Sequence, residues 1–91
     1  MKVNICGVLH DVVESEDILD FGSIEYRKGR IVLQKNLTKD IKEEALCHEM
    51  VHGMLIHMGY TEFSEDERFV QALGNAIYQG FSPRRIKNDN A

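Results

Sequence analysis

The stretch Leu46-Cys47-His48-Glu49-Met50-Val51-His52-Gly53-Met54-Leu55 constrains this chain more than any other. It places His-Glu-x-x-His inside a run apolar enough to be a buried helix. At about 100° per residue, His48 and His52 stand about 40° apart on one face, one above the other, so both imidazoles can reach one ion. Glu49 lies about 100° round from His48, beside such an ion rather than on it. A carboxylate there is placed to take a proton from a water that the metal activates. Buried neutral histidines need partners, and a buried glutamate is costly unless paired or coupled to a metal. One cation answers all three demands at once.

The flanking sequence predicts what carries this helix. Val3 and Ile5 alternate with polar residues, Cys6-Gly7 suits a tight turn, and Val8 to Val13 is rich in β-branched residues. A hairpin over residues 2–16 is expected, followed by a solvated acidic loop at Glu14-Ser15-Glu16-Asp17 that Ile18, Leu19 and Phe21 pin to the core. Ile24-Glu25-Tyr26, a Lys28-Gly29 turn and Arg30 to Gln34 predict a second hairpin. Thr38 can cap the long helix, with Asp40 in its first turn and Gly59 at its end. Leu46 and Met50 occupy one flank, and Cys47, Val51, Met54, Leu55 and Met58 the other, so the helix is expected to be covered on two sides.

Tyr60 to Phe63 reads as a short connection and Ser64 as the start of a last helix. Its stripe is Val70, Leu73, Ile77 and Phe81, with Ala72 and Ala76 allowing close approach and Gly80 and Ser82-Pro83 ending it. The expected fold class is α+β: a four-stranded antiparallel sheet of two hairpins, followed by a two-helix hairpin. Residues 1–82 form one domain, and 83–91 a polar, locally basic tail.

A catalytic zinc takes three protein ligands and keeps one position open. His57 falls on the opposite face of the helix from His48, His10 is a lone strand histidine, and Cys47 points away as core filler. The acids heading the last helix remain: Glu62, Glu65, Asp66 and Glu67. Glu67 is favoured because it shares a face with Val70, Gln71 and Gly74, and Gly74 leaves room toward the first helix. Asp66 stays an alternative. Ser64 to Glu67 also fits a capping box, in which Glu67 would turn back to the backbone instead. To reach the histidines, Glu67 needs the chain at residues 60–63 to climb back along the first helix.

His48-Glu49-Met50-Val51-His52, followed by an acid at the head of the next helix, resembles the zincin metallopeptidases of the gluzincin type. Leu55 and Met58 stand where the metzincin extension has Gly and His. Residues 38–79, with Ile31-Val32-Leu33 before them, resemble small phage and prophage proteins grouped near the ImmA/IrrE metallo-endopeptidases. That resemblance implies a minimal zincin-like core with Zn2+ on His48, His52 and Glu67, Glu49 as general base, and a peptide or protein substrate. An extended substrate would add to an edge strand, expected at Arg30 to Gln34. The alternative is a non-catalytic zinc-binding protein that contacts a host or phage partner.

A net charge of −4 argues against nucleic acid as the main partner. No apolar run reaches spanning length and the start lacks a signal-peptide pattern, so a cytoplasmic protein with reduced Cys6 and Cys47 is expected.

Overall fold

The computed structural model describes residues 1–80. Phe81, the Ser82-Pro83 stop and the 83–91 tail lie outside the described residues. Four strands, β1 (Lys2–Ile5), β2 (Val8–Ser15), β3 (Gly22–Glu25) and β4 (Arg30–Gln34), precede three helices. These are α1 (Lys39–His57), α2 (Thr61–Ser64) and α3 (Glu67–Gly80).

Both hairpins form. Cys6 (φ 52°) and Gly7 (φ 88°) are left-handed, which makes a two-residue turn and sets Ile5 opposite Val8. Asn4 Oδ1 accepts the Gly7 N–H at 2.7 Å and fixes that turn. In the second hairpin, Tyr26–Lys28 make a 3-10 turn that Gly29 closes at φ 60°.

The antiparallel sheet expected from the sequence is not what forms: the sheet is mixed, with one parallel pair. Its order is β1-β2-β4-β3, with β2 and β4 parallel in the register Val12 to Ile31 and Val13 to Val32. The reason lies in the relative burial of the second hairpin's two strands. β4 contributes Ile31 and Leu33, 0% and 2% exposed, whereas β3 is only half-buried along its length. Placing β4 inside covers the more apolar strand on both sides and leaves Gly22-Ser23-Ile24-Glu25 at the edge. Arg30 to Gln34 is therefore a central strand and has no open edge to offer a ligand. Residues 16–21 carry the chain across: Gln34 Nε2 donates to the Ile18 carbonyl (2.8 Å), and Gln34 N–H to that of Phe21 (2.8 Å). Of the three expected pins only Ile18 is half-buried; Leu19 and Phe21 project into solvent.

α1 starts at Thr38, whose hydroxyl accepts the Ile41 N–H at 3.4 Å. It lies between two apolar clusters. Ala45, with Leu46, Met50 and Met54 beside it, packs on Ile5, Val12, Ile31 and Leu33 of the sheet. Val51 and Leu55 pack on Val70, Leu73 and Ile77 of α3. Close approach to the sheet is made at Gly53, where a Cβ would stand 3.0 Å from Ile24 Cδ1 and 3.1 Å from Ile5 Cδ1. Ala72 and Ala76 are exposed; Gly74 is where α3 approaches α1.

Residues 60–66 depart from the expected simple connection. Thr61–Ser64 form the short α2, and α3 begins at Glu67 rather than Ser64. Asp66 Oδ1 accepts the Phe69 N–H at 3.1 Å and caps α3, while the Ser64 N–H goes to the Tyr60 carbonyl, so the rival capping box at Ser64 to Glu67 does not form. Among the described residues no helix is long and apolar enough to cross a membrane.

Candidate metal centre

α1 carries His48 and His52 on the face toward α3, and α3 returns Glu67 to the level of both. The extra turn of α2 supplies the climb along α1 that this placement requires. Gly74 allows α3 to sit close: a Cβ there would lie 3.3 Å from His48 Cα and 3.4 Å from its backbone N.

Each imidazole is held from behind. Gln71 Nε2 donates to Asn75 Oδ1 at 3.2 Å, leaving Oε1 to accept His48 Nδ1–H at 2.6 Å. Ser64 Oγ, on a buried residue, lies 3.0 Å from His52 Nδ1 and accepts from it in the tautomer that frees Nε2. Both Nε2 atoms then face the same carboxylate. His48 Nε2 stands 3.0 Å from Glu67 Oε1, and His52 Nε2 3.3 Å from Glu67 Oε2.

With Nδ1 protonated, a neutral imidazole turns a lone pair on Nε2 toward those oxygens. Lone pairs facing a carboxylate repel unless each ring takes a second proton or one cation sits among them. The spacing suits the cation. Donor atoms about 2 Å from a tetrahedral ion stand roughly 3.3 Å from one another. The three ligand atoms lie within 4.8 Å of one another, so His48, His52 and Glu67 could hold a metal ion. Backing groups on both Nδ1 atoms are what orients such ligands in metalloproteins.

The remaining candidates fall elsewhere. Asp66 is committed to its cap, and Cys47 is half-buried outside the ligand group. His57 packs edge-on against His10, ring centroids 5.8 Å apart. His10 is fully buried, with Nδ1 3.0 Å from the Val8 carbonyl and Nε2 without a partner among the described residues.

Glu49 is 7% exposed and accepts no hydrogen bond among the described residues. Burial pushes its carboxyl up to about 7; His48 opposes the rise, and the Glu67 and Asp20 charges add to it. Its neighbour is Gly22 at the start of β3, where a Cβ would stand 3.3 Å from Glu49 Cγ. Glu49 and the three candidate ligands line one cleft of about 630 Å³, walled on the other side by β3. The edge strand beside the site is thus β3. Gln71 was legible as a neighbour of Glu67 on one helix face, but nothing in its spacing marks its bond to His48. Ser64 and Gly22 carried no local signal, since α2 and the strand order create their roles.

No family model, curated protein or solved structure matches this chain.

Proposed function

We propose that this chain is a zinc-dependent peptidase. The observation that carries the reading is the convergence of His48 Nε2 and His52 Nε2 on Glu67, with the buried, unpartnered Glu49 in the same cleft. The resemblance of His48 to His52 to gluzincin-type and ImmA/IrrE-like proteins points the same way. A bound zinc supplies Lewis acidity, which makes water nucleophilic near neutral pH and polarises a carbonyl. Glu49 accepts the water's proton on its carboxylate and passes it to the leaving amine. Gln71 and Ser64 hold the two imidazoles so that their Nε2 atoms stay directed at the ion. The open edge of β3 aligns an extended peptide by backbone pairing beside Glu49.

The second reading is a non-catalytic zinc-binding protein that contacts a host or phage partner. It is favoured by the small cluster joining α3 to α1, in which only Val51, Leu55 and Val70 are buried among the described residues, and which an ion would reinforce. Against it, Glu67 is 68% exposed, so the ligand set is open on one side, as a catalytic site requires.

Two substitutions separate the readings. Glu49→Gln is expected to keep about one zinc per chain and to lose peptide turnover by roughly 10²–10⁴-fold. His52→Ala is expected to lose the metal. Full turnover in Glu49→Gln, or no cleavage by a zinc-loaded wild type across a diverse peptide library, would sink the peptidase reading.

A further inference from the structure

The walls of the cleft carry charge of one sign. Asp20, Glu44, Glu49 and Glu67 line it, and no lysine or arginine does among the described residues. Outside the cleft lining, Arg30 pairs with Glu25 at 2.6 Å, Lys42 with Glu14 at 3.1 Å, and Lys35 with Glu16 at 3.7 Å. A divalent ion offsets Glu67 and one further carboxylate, Glu49. Asp20 and Glu44 remain, and neither forms an ion pair or hydrogen bond among the described residues.

Their positions bracket the site. Glu44 lies one turn before His48 on α1. Asp20 precedes β3 and is close enough to Glu49 for its charge to be felt there. Phe21, 58% exposed beside Asp20, also lines the cleft, as does Tyr26 just beyond β3. An aromatic face next to a lone carboxylate suits a long cationic side chain, whose stem packs on the ring while its head meets the charge. Glu49, more than nine-tenths buried and without a hydrogen-bond partner among the described residues, also points into this cleft.

Resting on the peptide-site reading above, we propose that the cleft selects an extended peptide bearing a lysine or arginine, which Asp20 and Glu44 recognise. Acidic peptides are excluded by the same two carboxylates.

The test is a binding measurement on zinc-loaded Glu49→Gln protein, so that recognition is read without turnover. Three extended peptides of equal length, differing only in a central Arg, Gln or Glu, are titrated by calorimetry at physiological salt. The Arg peptide is expected to bind about tenfold tighter than the Gln peptide, and the Glu peptide weakest. Asp20→Asn with Glu44→Gln is expected to bring the Arg-to-Gln ratio near one. Glu62→Gln with Glu65→Gln makes the same charge change outside the cleft lining and is expected to leave the ratio intact. Equal affinities for the three peptides, no binding of any, a ratio that survives Asp20→Asn/Glu44→Gln, or an equal loss in the control pair each overturns the proposal. Charge selection by a protein that never cleaves a peptide removes the peptidase reading alone. Cleavage without charge selection removes this inference alone.

Discussion

At the scale of single residues, Glu49 is the group whose environment most demands a cation. It enters the fold buried and without a hydrogen-bond partner among the described residues, and burial raises its carboxyl from 4.5 to about 7. A carboxyl raised on folding favours the native state while it is protonated. Its contribution is complete below about pH 4.5 and is lost as pH rises through 7. Metal-free protein should therefore lose stability between pH 5 and pH 8, by at most about 3 kcal/mol from this group. Glu49→Gln should flatten that slope, because its amide does not titrate. Urea unfolding of both proteins at pH 5, 6, 7 and 8, with chelator present, measures the two slopes; equal slopes would show that Glu49 is not the buried acid described. Restoring the ion should also reduce the slope in the wild type, since a divalent charge beside the carboxylate favours its ionised form.

At the scale of elements, the helical half was more legible than the sheet. The pairing of His48 with His52 is a property of α1 alone, fixed by helical periodicity, and Glu67 follows from sharing a face with Gly74. The order of the strands is a competition between distant segments. Ile31 and Leu33 took the interior and left β3 at the edge, a result that neither hairpin's own residues specify. α2 was hidden because Tyr60 to Ser64 shows no run long enough for a helical period, yet it decides where α3 begins. Gly74 tests how strictly this spacing matters. Its absent side chain faces the His48 backbone at 3.3–3.4 Å, and backbone cannot retreat as a flexible side chain would. Gly74→Val should push α3, with Glu67 and Gln71, away from both histidines and weaken zinc affinity by about tenfold or more. Ala76→Val places the same branched residue on an exposed position of α3 and should leave affinity unchanged. Competition with a zinc chelator dye measures both; unaltered affinity in Gly74→Val would mean the helix spacing does not set the ligand geometry.

At the scale of the whole molecule, two apolar clusters share α1 and differ in what holds them. The sheet side has Ile5, Val12, Ile31, Leu33 and Ala45, with backbone pairing along four strands. The α3 side has Val51, Leu55 and Val70, and its other ties to α1 include the His48, His52 and Glu67 group. Ligand binding to the native state alone adds about 4 kcal/mol when the metal is a thousandfold above its Kd. That energy acts between α1 and α3, so its removal should not be felt evenly. If an ion joins Glu67 to the two imidazoles, its removal leaves α3 on the small apolar cluster of Val51, Leu55 and Val70. Chelation should therefore speed amide exchange in α3 well before it does so in β2 and β4, which remain paired in the parallel centre of the sheet. Hydrogen exchange followed by mass spectrometry, with zinc and with chelator, resolves the two regions. Uniform loss of protection would mean that the two halves fold as one unit and that the ion's stabilisation spreads through α1. Protection unchanged by chelation would mean that no ion couples the helices.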